Sequence, residues 1–138
     1  MRRRFAIAVL CLLVAGPVLA QTQDGTATLT NQGLHVAEAA FGTGVTDRML
    51  DGASYSFPVG TRVYCWTRLL DGAPGDTVLH VWLHDGVEIQ RVELPVSDQH
   101  WRTWSYKTLY PGMGGQWTVE VRSAGGRVLG SYDFTATE

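Results

Sequence analysis

From residue 34 onward the chain is cut by Gly, Pro and Asp into short segments rich in Val, Thr and aromatic residues, and the sharpest cut is Asp85-Gly86. A two-residue type I′ turn needs positive φ at both central positions, which an Asp-Gly pair tolerates, so this dipeptide predicts a β-hairpin joining strands 77–84 and 87–95. Ala124-Gly125-Gly126 closes strands 116–122 and 127–136 in the same manner. The same alternation and punctuation give strands at 34–41, 62–70 and 101–110, with a short one near 55–57. Residues 42–60 and 71–76 read as longer loops. No stretch keeps the three-and-four apolar spacing of an amphipathic helix. About seven strands at this spacing predict an all-β, immunoglobulin-like antiparallel β-sandwich, with a small closed barrel as the alternative.

The N-terminus is different in kind. Arg2, Arg3 and Arg4 precede an apolar run from Phe5 to Ala15, followed by Gly16, Pro17 and the small-residue end Val18-Leu19-Ala20. That order is a signal peptide over residues 1–20, too short and too broken by Pro17 for a bilayer span, so no membrane span is expected after its removal. The arginines partly match a twin-arginine export signal, although the general secretory route fits better. Residues 21–33 then read as a flexible polar leader, and 34–138 as one β-sandwich domain. The expected location is periplasmic or secreted.

Processing changes the chemistry of what remains. Removing three arginines from 11 basic residues leaves 8 against 13 acidic ones, a net charge near −5. No basic surface is left to attract nucleic acid. Of the two cysteines only Cys65 survives, which excludes an intramolecular disulfide and leaves stability to packing. Cys65 alternates with Val63 and Thr67, the pattern of a buried thiol acting as a small hydrophobe.

Alternation also sorts the aromatic residues. Trp117, Val119 and Val121 form an inward row, and Val128, Tyr132 and Phe134 a matching one. In strand 62–70, Val63, Cys65, Thr67 and Leu69 read inward, leaving Tyr64 and Trp66 outside between Arg62 and Arg68. In strand 77–84 the plain inward row is Leu79, Val81 and Leu83, which puts His80, Trp82 and His84 on the other face, with Trp82 opposite Ile89. In strand 101–110, Arg102, Trp104 and Tyr106 share one face and Trp101, Thr103, Ser105 and Lys107 the other. Trp104 and Tyr106 are the better core candidates, with Arg102 at the rim.

Aromatic faces flanked by cations suit sugars and protein surfaces. The candidate binding residues are therefore Tyr64, Trp66, His80, Trp82, Arg102, Trp104 and Lys107. No metal site or cofactor is expected. His80 and His84 lie roughly 13 Å apart along a strand, whereas zinc holds each imidazole nitrogen at about 2 Å. No Gly-x-Ser-x-Gly, His-Glu-x-x-His or paired-carboxylate pattern is present, so enzymatic activity is not expected; a site assembled from His80 with Asp98 or Ser105 is the weak alternative.

Four segments in this order resemble a bacterial family known as domain of unknown function 2914: Arg62-Val63-Tyr64-Cys65-Trp66-Thr67, His80-Val81-Trp82 ending in Asp85-Gly86, Trp101 through Lys107, and Gly115 through Val121. The resemblance runs over about residues 34–137 and implies an envelope-associated β-domain without assigned catalytic residues. The function expected from all of this is an exported, non-catalytic envelope domain that binds a glycan, peptide or protein partner. The alternative is an assembly protein that pairs with another subunit through a sheet face or edge.

Overall fold

The computed structural model describes residues 33–138, so the expected signal peptide and nearly all of the expected leader lie outside the described residues. Ten strands fill this region: β1 His35–Gly42, β2 Gly44–Thr46, β3 Met49–Asp51, β4 Ser56–Pro58, β5 Arg62–Leu70, β6 Asp76–His84, β7 Val87–Val96, β8 His100–Thr108, β9 Gly115–Ser123 and β10 Val128–Thr137. Seven are long and match the strands read from the sequence. The structure is an all-β sandwich.

One sheet has the order β1-β5-β8, and the other β4-β10-β9-β6-β7. Every neighbouring pair is antiparallel except β4 with β10, which run parallel. This is immunoglobulin-type wiring, in which β5 and β8 correspond to strands B and E, and β10, β9 and β6 to G, F and C. In that scheme a core tryptophan on strand C packs against a cysteine on strand B. Trp82 on β6 and Cys65 on β5 occupy these places in one buried cluster, and Trp117, Val119 and Val121 are the buried residues of β9.

The turns form where the residue chemistry allows. Asp85 and Gly86 take φ of 47° and 81°, the type I′ signature the dipeptide predicts. A bulge interrupts the β6–β7 ladder between Trp82 and Leu83, so Trp82 faces Gln90 rather than the expected Ile89. The extra residue, Ile89, is left exposed.

Residues 42–60, read as a loop, contain the β2–β3 hairpin. It turns through Asp47 and Arg48, both at positive φ (51° and 64°) without a glycine. Gly42 makes room for it, because a Cβ there would sit 2.3 Å from the Asp51 carbonyl oxygen and 2.8 Å from Leu50 Cγ.

The sequence leaves open which face of β6 and β8 is buried, and on each the structure buries the row opposite to the plainer choice. Val78, His80 and Trp82 are fully buried between the sheets, while Leu79 and Leu83 are only half-buried and Val81 alone of their row is buried. The reason is volume. Trp82 meets Phe41 and Phe134 edge-on at centroid distances of 6.4 and 6.2 Å, a larger apolar interface than leucines would make. On β8, Thr103 and Ser105 turn inward, and Trp104 and Tyr106 turn out. Val128, expected inward, is half exposed because the β10 ladder shifts register between Val128 and Gly130.

Candidate functional site

The outer face of the β1-β5-β8 sheet carries cross-strand pairs of like residues: Tyr64 with Tyr106, Trp66 with Trp104, and Arg68 with Arg102. Five of these six face outward at least partly. Trp66 does not. The β2–β3 hairpin lies over it, its indole Nε1 donates to the Arg48 carbonyl at 2.8 Å, and it is 3% exposed. Trp66 is thus a seat for the hairpin and cannot serve as an open platform, contrary to the sequence expectation.

The hairpin creates what the sequence does not show. It brings Arg48 to the edge of β8, where its Nη2 donates to the Arg102 carbonyl at 3.3 Å and its guanidinium lies 4.8 Å from the Trp101 ring centroid. Three adjoining hollows follow β8 along this edge. The first, of about 430 Å³, is lined by Arg48, Arg68, Leu70, Asp98, His100, Trp101 and Arg102. The second, of about 340 Å³, shares Arg48, Trp101 and Arg102 and adds Pro95, Thr103 and Trp104. The third, of about 380 Å³, continues from Trp104 to Ser105 and Tyr106, with Gln90 and Val92 of β7 as its other wall. Together they form a furrow between β8 on one side and β7 with the hairpin on the other.

Of the eight Lys and Arg side chains among the described residues, Arg48, Arg62, Arg102, Lys107 and Arg127 have no ion-pair partner there, and Arg48 and Arg102 of these line the furrow. Among the described residues no carboxylate lies within ion-pair distance of Arg48 or Arg102, whereas Arg91 pairs with Glu88 at 2.8 Å and Arg122 with Glu120. Arg68 is held by Glu38 at 3.3 Å. Trp101 contributes a buried indole nitrogen with no acceptor. Such a donor is uncommon in a folded interior.

Residues 75–136 match the family described as Protein of unknown function (DUF2914). The DUF2914 resemblance therefore spans all of β7 and β8, the two strands that wall the furrow, and stops short of Arg48 and Arg68. Among solved structures, Pseudomonas fluorescens alkylpurine DNA glycosylase AlkC, bound to DNA containing an abasic site analog, aligns over 76% of this chain and 30% of that one, at 16% identity and a TM-score of 0.42. This chain spans less than a third of that protein's length, and so loose a likeness carries no argument about function. No curated protein matches.

Of the seven residues proposed from sequence, Tyr64, Arg102 and Trp104 share the outer face, and Arg102 and Trp104 line the furrow. Lys107 sits apart, with its Nζ 5.6 Å from the Tyr110 ring centroid. His80 and Trp82 are in the core, a correction that follows from the reversed face of β6. His84 stacks on Trp117 at 4.6 Å, and its Nε2 lies 2.8 Å from the Gly114 carbonyl. Arg48 and Trp101 were not singled out. Their role depends on a hairpin crossing β5, for which the only local sign was Gly42.

The weak catalytic alternative, His80 with Ser105, is present as a contact. His80 Nδ1 lies 2.7 Å from Ser105 Oγ, and Nε2 lies 3.3 Å from Thr67 Oγ1. The single hydroxyl hydrogen of Thr67 goes to the Thr103 carbonyl at 3.0 Å, so Thr67 Oγ1 accepts from Nε2–H. That leaves Nδ1 as the acceptor of the Ser105 hydroxyl, whose oxygen in turn accepts from Trp82 Nε1 at 3.0 Å. Every member of this network is buried, and the second ring nitrogen is engaged by a threonine rather than a carboxylate. Burial pushes the His80 pKa down to about 4, which holds the ring neutral. The arrangement satisfies polar groups between the two sheets.

Proposed function

We propose that this is an exported, non-catalytic envelope domain that binds a glycan along the β8 furrow. The observation that carries the reading is the convergence of Trp101, Trp104, Arg48 and Arg102 on adjoining open hollows, formed by two separate parts of the chain. Half-exposed aromatic rings offer apolar faces to the C–H side of a sugar, and nearby guanidinium groups hydrogen-bond its hydroxyls. A shallow, elongated furrow suits an extended polymer better than a compact metabolite, which would be enclosed on most sides.

The second reading, assembly through an open strand edge, is less supported. β7 and β8 are edge strands, but two β8 edge carbonyls are already taken: Arg102 O by Arg48 Nη2, and Tyr106 O by Gln90 Nε2 at 2.9 Å. The β7 edge carries the Arg91–Glu88 ion pair and Pro95, features that discourage pairing with another strand.

Binding of the mature domain to immobilised envelope glycans tests the proposal. Trp104→Ala is expected to weaken retention about tenfold or more. Retention that is unchanged in Trp104→Ala, or a domain that captures no glycan and dimerises by light scattering, would overturn it.

A further inference from the structure

The furrow is not chemically uniform along its length. The lining of its Tyr106 end is uncharged, with the single guanidinium of Arg62 4.7 Å from the Tyr106 ring centroid, whereas its His100 end gathers Arg48, Arg68 and Arg102 around one hollow of about 430 Å³. These are three of the eight Lys and Arg residues left after the three N-terminal arginines, in a domain with an acidic balance. Two of them lack a carboxylate partner among the described residues, and the carboxylates near this end are Asp98, which lines the hollow, and Glu38, which engages Arg68. Three guanidinium groups beside two carboxylates leave this end with a positive excess, and like charges gathered in excess repel one another. Guanidinium groups offer paired N–H donors that match the two oxygens of a carboxylate or phosphate.

The wall of the same hollow holds the orphan donor. Trp101 Nε1 is buried without an acceptor, and leaving such a group unmatched is costly. The Arg48 guanidinium lies 4.8 Å from the Trp101 ring centroid, and both residues line this hollow. One oxyanion in the hollow can accept from both Arg48 and Arg102, the two guanidinium groups there without a carboxylate partner.

From these relations we infer that the His100 end of the furrow is an oxyanion subsite, and that the glycan bound along β8 carries an acidic group, a carboxylate or a phosphate ester, which this subsite reads. The inference rests on the glycan-binding reading above and adds its charge selectivity. Sugar rings lie against Trp104 toward the neutral end, and the acid seats between the hairpin turn and the start of β8. Arg48 and Arg102 then act as specificity residues, and Trp104 supplies affinity for any sugar.

The test compares three probes of equal length on the mature domain by calorimetry: a neutral oligosaccharide, an oligogalacturonate, and a phosphorylated oligosaccharide. The acidic probes are expected to bind about tenfold tighter than the neutral one. That preference is expected to shrink as salt rises from about 0.05 M to about 0.5 M, because the pairing charges are partly exposed to solvent. Whichever acidic probe binds more tightly identifies the group. Arg48→Gln and Arg102→Gln are expected to abolish the preference, weakening the acidic probes far more than the neutral one and leaving the far-ultraviolet spectrum unchanged. Equal affinity for all three probes, with loss in Trp104→Ala, would overturn the subsite and leave glycan binding standing. If none of the three binds, titration with galacturonate alone, read from the Trp101 indole N–H resonance, still judges the subsite: a shift at millimolar galacturonate that is lost in Arg102→Gln supports it, and an unmoved resonance overturns it.

Discussion

Trp66 Nε1 donates to the backbone carbonyl of Arg48 across 18 residues of sequence, at 2.8 Å. This one bond ties the tip of the β2–β3 hairpin to the middle of β5 and so fixes where the Arg48 guanidinium lies. A tryptophan that reads as a binding surface in the sequence instead holds a different residue at the binding surface.

Trp66→Phe keeps most of the apolar contact and deletes the donor, so it is expected to cost about 1 kcal/mol. Its sharper effect is local. Amide exchange at 44–51 is expected to speed up with little change in β6 and β9, because the hairpin is anchored from one side. Uniform acceleration across both sheets would show that the hairpin and the core open together.

Gly42→Ala tests the same docking from below. The added methyl would fall 2.3 Å from the Asp51 carbonyl oxygen, so the hairpin must lift or β1 must shift. A loss of about 1 to 3 kcal/mol is expected, the range for forcing a methyl into a filled site. A melting temperature equal to that of the parent would mean that the hairpin sits further from β1 than described.

Ser105→Ala removes the group between His80 Nδ1 and Trp82 Nε1, leaving a buried acceptor and a buried donor unmatched. The expected cost is about 3 kcal/mol, which in a domain of this size lowers the melting temperature on the order of 10 °C or more. Glycan binding by the protein that remains folded is expected to persist. Its disappearance at a temperature where the variant is folded would give the Ser105 side chain a part in the furrow.

His80 makes the fold acid-sensitive. Burial lowers its pKa from 6.5 in the unfolded chain to about 4 in the folded one, so between these values the unfolded state binds the proton and the folded state does not. Stability therefore rises with pH across this window: acidification below pH 6.5 progressively destabilises the domain, by about 3 kcal/mol once the pH reaches 4. Urea midpoints at pH 7, 5.5 and 4, compared with those of His80→Gln, check the assignment. An equally steep acid loss in the variant would assign the effect to other groups.

Cys65 is fully buried, and burial pushes its thiol pKa up, so no thiolate forms near neutral pH. Labelling by a thiol reagent is expected to proceed at the rate of global unfolding and to accelerate in Ser105→Ala. Fast labelling of the native parent would place the thiol within reach of solvent.

The sequence by itself determined the seven long strands and the sandwich. Alternation in β5 and β9 places Val63, Cys65, Trp117 and Val119 correctly, and Asp85-Gly86 fixes a turn, because period-two burial and positive φ are local properties written residue by residue. Local pattern failed where both faces of a strand carry apolar residues. On β6, Leu79, Val81 and Leu83 compete with Val78, His80 and Trp82, and only the opposite sheet, which brings Phe41 and Phe134 against Trp82, decides between them. The furrow was less legible still. Arg102 and Trp104 were visible as an aromatic and cationic cluster, but their partner Arg48 lies 54 residues from Arg102 and arrives only because a hairpin folds across Trp66. Burial and turn type are set by neighbours in sequence; a site made from two strands and a crossing hairpin is set by neighbours in space, and only the packed tertiary structure specifies those.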